Sequence, residues 1–110
     1  MKILDMATAC QWECVQKEFE DMPVSAAYTS DLLSDVMANA HESDLLITIQ
    51  AHNNTVAVAS LAGIRAIVIC NNRPVHSDMI ASATQEQIGV FRTHQNQFET
   101  SYQVGALLKG

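Results

Sequence analysis

The sequence has little glycine and no glycine-rich loop. Its four glycines stand far apart in the chain, whereas a P-loop or a dinucleotide-binding fingerprint needs several glycines within a few residues. Phosphoryl transfer of the P-loop kind is therefore close to excluded. The chain also lacks the G-x-S-x-G elbow of serine hydrolases and the HxH or HExxH spacings of metal sites. We expect a protein without enzymatic activity, cofactor or metal ion.

Positive charge is scarce as well. Six Lys and Arg residues stand against 12 Asp and Glu residues, for a formal net charge of -6. Because no basic stripe is present to release phosphate counterions, we expect neither nucleic acid nor an anionic membrane as a partner. No apolar run approaches the roughly 20 residues of a membrane span. The first residues lack the charged and apolar regions of a signal peptide, so we predict a cytoplasmic protein.

Cysteine and aromatic residues are few. The three cysteines are Cys10, Cys14 and Cys70, and an odd number without a regular framework argues against a disulfide-built domain. Cys10 and Cys14 are four residues apart and would share one face of a helix. Two thiolates fall short of the four ligands of a closed zinc or iron–sulfur site, so we interpret all three as buried or half-buried free thiols. Aromatics make up 5% of the chain, and the core must therefore consist of aliphatic residues and methionine.

Apolar runs and helical patterns alternate in the second half of the chain. Residues 45–50 and 65–70 are nearly continuous apolar runs, typical of strands buried on both faces. Residues 89–93 form a third predicted strand. The helices predicted around these strands span residues 54–62, 76–87 and 96–109. This order predicts parallel strands with helices on both faces of the sheet, and 110 residues suit a single domain, 1–110.

The first half of the chain is more ambiguous. Residues 1–21 have a roughly helical pattern, but a break near residues 9–11 and a short strand at Cys14–Phe19 are an open alternative. Val24–Tyr28 can form a short strand. Ser30 is placed to cap a helix over residues 31–40, which would set Asp31 and Asp35 on a solvated helix face.

Polar side chains follow each of the three predicted parallel strands, and ligands bind beyond the carboxyl ends of strands in open α/β sheets. The candidate ligand-binding residues are Gln50, His52, Asn53, Asn54, Asn72, Arg73, Arg92 and Thr93. The amides that begin the helix after His52 would also favour an anion. The alternative is that Asn53 or Asn54 only caps this helix and leaves His52 exposed.

Two segments carry a resemblance to a known family. The pattern Y-x-SDLLS-x-VM spans Tyr28–Met37, and ITIQ-x-H-x-N-x-VAVA spans Ile47–Ala59. Together they resemble the DRTGG-domain proteins, and the similarity extends over essentially the whole chain. The chain departs from the motif that names the family, because Asp21-Met22 and Ser25-Ala26-Ala27 stand where the family has Asp-Arg and Thr-Gly-Gly.

The resemblance implies a three-layer α/β/α sandwich with a mixed, mostly parallel sheet, similar to the N-terminal domain of HPr kinase/phosphorylase. It also implies a non-catalytic regulatory domain, and our first hypothesis is that a small anionic ligand, such as a nucleotide, binds at the strand ends of a homodimer. Apolar residues of the Leu32–Met37 segment would form the dimer interface or, as the simpler interpretation, part of the core. A second hypothesis is an adaptor for a hydrogenase-like, redox or signalling protein, and a third is a small enzyme that uses His52.

Overall fold

Two buried tetrapeptides, Leu45–Thr48 and Ala66–Ile69, form the centre of the fold. A computed structural model describes residues 1–110. The strands are β1 (Glu13–Gln16), β2 (Ala27–Thr29), β3 (Leu45–Thr48), β4 (Ala66–Ile69) and β5 (Gly89–Arg92). The helices are α1 (Ile3–Cys10), α2 (Leu33–Asn39), α3 (Asn53–Ala62), α4 (Ser77–Glu86) and α5 (Gln97–Lys109).

All five strands belong to one sheet with the order β1-β5-β4-β3-β2. The strands β2 to β5 are parallel, and β1 is antiparallel to β5 at one edge. Each parallel pair is joined through a helix, as a crossover connection requires. The prediction of a mixed, mostly parallel sheet is thus confirmed.

The sheet is the middle of three layers because its side chains alternate between two separate cores. Leu45 and Ile47 of β3 pack with α1 and α5 on one face. Leu46 packs with α2, α3 and α4 on the other. Successive side chains of a strand point to opposite faces, so the continuous apolar runs of β3 and β4 supply both cores at once. The predicted three-layer α/β/α sandwich is confirmed.

The first 21 residues do not form one helix. Gln11 has a left-handed conformation, with φ 59°, and ends α1. The amide of Trp12 then donates to the carbonyl of Ala7 at 2.9 Å. The chain continues as β1, so the predicted break near residues 9–11 is confirmed. The shared helix face of Cys10 and Cys14 is wrong, because Cys10 lies on α1 and Cys14 on β1. The interpretation of Cys14 as a buried or half-buried thiol is wrong as well, because Cys14 is exposed, whereas Cys10 is buried.

The predicted start of the helix after β2 is also wrong. Its N-cap position is Leu32, and Ser30 accepts a hydrogen bond from the Leu32 amide at 3.2 Å instead of capping the helix. The reason is Asp31, whose side chain bonds to groups of the β3 segment and so lies outside the helix. Within α2, Val36 is fully buried in the core. The interpretation that apolar residues of the Leu32–Met37 segment belong to the core is thus confirmed for Val36.

The helix ends follow backbone geometry more than side-chain caps. Gly63 has φ 79° and ends α3, since glycine adopts the left-handed region without strain. Ser77 is the first helical residue of α4, and His76 precedes it at the N-cap position without a side-chain cap. Asn96, before α5, is the N-cap residue whose side chain caps its helix, and it forms a capping box with Glu99; at α1 the Asp5 side chain accepts from the Lys2 amide at 3.0 Å. No helix is long and apolar enough to span a membrane.

Candidate functional site

The four parallel strands end along one edge of the sheet, which we call the carboxyl edge. It consists of the loops after β2, β3, β4 and β5, at residues 30–32, 49–52, 70–76 and 93–96. In open α/β sheets this is the edge at which ligands bind. The parallel pairing therefore gathers there the residues that were predicted from three strand ends, together with those after β2.

Asp31 is the centre of a hydrogen-bond network at the carboxyl edge. Its Oδ1 accepts from the hydroxyl of Thr48 at 3.2 Å and from the amide of Ile49 at 3.0 Å. Its Oδ2 accepts from Nε2 of Gln97 at 2.9 Å. One carboxylate thus connects the loop after β2, the end of β3 and the start of α5. The interpretation of Asp31 as part of a solvated helix face is wrong.

Gln50 extends this network toward His52. Its Nε2 donates to the backbone carbonyl of Asp31 at 3.0 Å, which leaves Oε1 as an acceptor. That oxygen lies 2.9 Å from Nε2 of His52. In this arrangement Nε2 of His52 must carry the proton, and Nδ1 is left for another partner. The backbone carbonyl of Gln50 also accepts from the hydroxyl of Thr55 at 2.7 Å, which anchors α3 to this loop.

The start of α3 is exposed and has no side-chain cap. His52 occupies the N-cap position with an extended backbone, φ -153° and ψ 174°, and does not bond to the first amides. Asn53 and Asn54 are the first two helical residues, so the prediction that one of them caps the helix is wrong. A helix N-terminus has amides without intrahelical acceptors and carries partial positive charge. Asn53 and Asn54 also line a groove of about 370 Å³ between α3 and α4.

The paired asparagines after β4 have a conformational explanation. Asn71 and Asn72 have φ 61° and 51°, and the amide of Arg73 donates to the carbonyl of Cys70 at 3.4 Å. Two successive residues with positive φ define a type I′ turn, and asparagine tolerates this conformation well. The amide of Asn72 further donates to the carbonyl of Thr93 at 2.8 Å. Asn72 therefore shapes the loop, while its own side chain remains exposed.

The three other predicted residues differ in what they can contact. Arg73 is exposed and forms no ion pair. Arg92 is bound to Glu13 of β1, with Nε at 2.9 Å and Nη2 at 2.8 Å from one carboxylate oxygen. Thr93 is buried, and its hydroxyl accepts from the amide of Gln95 at 3.3 Å. Arg92 and Thr93 thus serve the fold in this structure.

Cys70 lies under the carboxyl edge and points into the core. Its side chain is fully buried, and Sγ donates to the hydroxyl of Thr100 at 3.5 Å. Burial raises the pKa of the Cys70 thiol above its ordinary value. The prediction that this cysteine belongs to the core is confirmed. Across the chain, no three His, Cys, Asp or Glu side chains come close enough together to hold a metal ion.

The structure therefore brings together one compact group from the predicted residues, namely Gln50, His52, Asn53 and Asn54. Sequence reasoning missed Asp31 and Gln97, which hold this group in place. Asp31 could have been found from its position directly after β2, the fourth parallel strand. The Ser30-Asp31 pair also resembles a helix start, and this favoured the wrong interpretation. No family model matches the chain, and no curated protein matches it. The DRTGG resemblance stays a prediction.

Proposed function

We propose that the chain is a non-catalytic regulatory domain that senses a small anionic ligand, such as a nucleotide, at the carboxyl edge. The observation that carries the proposal is the uncapped start of α3, where the exposed residues Asn53 and Asn54 follow His52. Amides at a helix N-terminus bind anions well. Gln50 fixes the orientation of the His52 ring through Nε2, and when the ring is protonated on both nitrogens Nδ1 would donate to the anion as well.

The charges at this edge decide where the anion would bind. The Asp31 carboxylate accepts three hydrogen bonds and lies between β2, β3 and α5. Its negative charge would repel an anion placed against the Gln50 side chain. We therefore place the anion on the outer side, at the amides of Asn53 and Asn54. The unpaired guanidinium of Arg73, in the loop after the neighbouring strand, is the cation best placed to assist.

The polar groups of the site favour binding over catalysis. A general acid or base must have an atom free to reach a proton of the substrate. The Asp31 carboxylate instead accepts from the Ile49 amide and from two side chains, and the Gln50 side chain donates to the backbone carbonyl of Asp31, so these polar atoms are occupied and hold the loops rigidly. Preorganised loops lower the entropic cost of binding. We further propose that the domain acts as a homodimer, since pairing gives a small domain a second state that a ligand can favour.

Thermal unfolding in the presence of inorganic phosphate, nucleotides, dinucleotides and acyl phosphates tests the ligand proposal. A ligand at 100 times its Kd stabilises the native state by about 2.7 kcal/mol, which for a domain of this size raises Tm by roughly 10 °C. His52→Ala should abolish the shift. His41→Ala is the matched control, because His41 is equally exposed but precedes β3 at the opposite edge. A shift that both variants retain would contradict the site, and no shift with any compound would contradict sensing of these ligands.

Asn53→Ala provides a second test that does not disturb the fold. Because Asn53 caps nothing, its replacement by a better helix former should leave stability within roughly 0.5 kcal/mol of the native value. The backbone amide of residue 53 is retained in this variant, so a loss of ligand-induced stabilisation would report a contact made by the Asn53 side chain, and retained stabilisation would assign the anion to the backbone amides. A loss of about 1 kcal/mol without ligand would instead indicate a capping role.

A second candidate function is a protein-interaction adaptor for a redox or signalling protein. The observation in its favour is a set of large apolar side chains that are mostly exposed. They are Phe98 at 78%, Tyr102 at 74%, Leu61 at 71% and Leu32 at 65% exposure. The acidic chain would steer a partner with a basic surface. His52→Ala should leave capture of such a partner unchanged, whereas Phe98→Ala should weaken it.

A further inference from the structure

We infer that α5 is the homodimer interface and that it pairs with α5 of a second copy in an antiparallel arrangement. The inference deepens the proposed homodimer and is independent of the ligand at the carboxyl edge. Its basis is the outer face of α5, which combines exposed aromatic side chains with a glycine that nothing within the chain explains.

The outer face of α5 has the spacing of a helix-packing seam. Phe98, Tyr102, Gly105 and Lys109 follow one another at intervals of four, three and four residues, which places them on one side of the helix. Phe98 and Tyr102 are 78% and 74% exposed, although aromatic side chains gain much free energy from burial. The opposite side of α5 packs on the sheet through Thr100 and Val104.

Gly105 has no role in the fold of a single chain. It lies within the helix with an ordinary negative φ. A Cβ atom added there would meet no atom within 4 Å. Glycine in a helix interior costs roughly 0.5 to 1 kcal/mol relative to alanine. A glycine that disfavours the helix and has free space around it is explained by the close approach of another molecule.

The outer face of α5 carries both the protruding side chain of Phe98 and a depression beside Gly105 in which Phe98 of a second copy would fit. A shallow depression of about 400 Å³ is lined by Ser101, Tyr102, Gly105, Ala106 and Lys109. If two copies of α5 cross antiparallel about a two-fold axis between Ser101 and Tyr102, Phe98 of each copy faces Gly105 of the other. The contact is then isologous, with the same residues used on both sides, which is the usual geometry of a homodimer.

Charge favours a second copy at this surface. The chain carries a net charge of -6, so two copies repel each other over most of their surfaces. In α5 the only charged residues are Glu99 in the first turn and Lys109 in the last. An antiparallel pair aligns the helix dipoles favourably and places only one carboxylate per copy, Glu99, on the paired helices.

The exposed area of this face suits a weak, reversible dimer. Two aromatic side chains that are three-quarters exposed offer roughly 300 Å² per copy, or about 600 Å² for the pair of copies. The lining residues around Gly105 and Ala106 would bring the total toward the lower limit of specific interfaces, about 1,200 Å². The Leu32–Met37 segment offers less, since Val36 is buried in the core and Leu33 and Met37 are half-buried.

Sedimentation equilibrium of the full chain over a wide concentration range tests the inference. The native chain should dimerise reversibly, and Phe98→Ala should raise the dimer Kd at least about 30-fold, as expected for a central aromatic residue. Gly105→Gln should also dissociate the dimer by filling the depression. Its Tm should not fall, because a Cβ atom at this position meets no neighbour in the monomer and glutamine favours a helix more than glycine does. Leu61→Ala, an equally exposed apolar residue on α3, is the control and should leave Kd within about threefold.

Two results would overturn the inference. One is a native chain that remains monomeric at the highest concentration. The other is a dimer whose Kd is unchanged by both Phe98→Ala and Gly105→Gln. Neither result bears on the ligand experiment, because His52 lies outside α5 and the ligand-induced shift is measured separately.

Discussion

The hydrogen-bond network around Asp31 predicts different losses of stability for two substitutions at that position. Asp31→Ala removes the acceptor for the Thr48 hydroxyl, the Ile49 amide and the Gln97 side-chain amide. Thr48 is fully buried and cannot turn to water. Asp31→Asn retains one acceptor oxygen and introduces an NH₂ group. Gln97 can then rotate its amide and accept from that group, because its own Oε1 has no partner.

The expected magnitudes differ enough to separate the two variants. A hydrogen bond to a charged group contributes about 1.5 to 3 kcal/mol. The three bonds to Asp31 are not additive and the residue is half-exposed, so we expect a total loss of about 3 kcal/mol for Asp31→Ala. For Asp31→Asn we expect about 1 kcal/mol, because the bonds are retained with neutral partners. The corresponding decreases in Tm are roughly 12 °C and 4 °C for a domain of this size.

Urea unfolding followed by tryptophan fluorescence measures both values. Trp12 is the only tryptophan, is 7% exposed, and lies with its ring centroid 5.9 Å from that of Phe91. Its emission should therefore change strongly on unfolding. A loss below about 1 kcal/mol for Asp31→Ala would refute the structural role of the network. Equal losses for the two variants would refute the predicted rotation of the Gln97 amide.

Three further predictions concern the sheet and its surroundings. Gly89→Ala should lower stability by about 1 to 3 kcal/mol in urea unfolding, because the new Cβ would lie 2.8 Å from the Phe19 ring; a neutral effect would contradict this contact. Asn72→Val should cost roughly 1 kcal/mol, since a β-branched residue does not tolerate φ 51°, whereas Asn72→Gly should be neutral or stabilising. Tyr28→Phe should destabilise the chain at neutral pH, because the Tyr28 hydroxyl is the main cause that lowers the pKa of Asp35 below 3.8. A lowered pKa stabilises above the unfolded value and is lost as pH falls through the folded value, so the difference from the native chain should shrink on acidification; a constant difference would contradict it.

The central sheet and its layers could be predicted from the sequence, because they depend on strong and simple patterns. A strand buried on both faces needs apolar residues at every position, and β3 and β4 have them. Gly63 marks the end of α3 because few other residues adopt its conformation at so little cost. These signals are local in the sequence and are not overruled by tertiary contacts.

The errors arose where a tertiary contact competed with a local signal. Ser30-Asp31 has the composition of a helix start, but the bonds from Asp31 to the β3 segment hold it outside α2. Asn53 and Asn54 have the composition of caps, but His52 takes the N-cap position. Gln97, which completes the network, is 66 residues from Asp31 in sequence. No spacing rule connects the two residues.

The spacing of apolar residues in α5 did not determine which face of the helix packs in the core. Phe98 and Tyr102 are four residues apart and so have the spacing of an apolar helix face, but both side chains point to solvent. The core side of α5 instead contains Thr100 and Val104. A sequence pattern identifies an apolar helix face, but it does not tell whether that face packs within the chain or against another molecule.

The most direct test of the proposed sensing site is a titration of the ¹⁵N-labelled protein with phosphate and then with nucleotides, followed by amide chemical shifts. We expect saturable changes at the amides of Asn53 and Asn54, smaller changes at Gln50, and no change at residues of α5. His52→Ala should weaken the titration without altering the rest of the spectrum. Unchanged Asn53 and Asn54 amides at saturating ligand, or changes confined to another surface, would contradict a ligand site at the carboxyl edge.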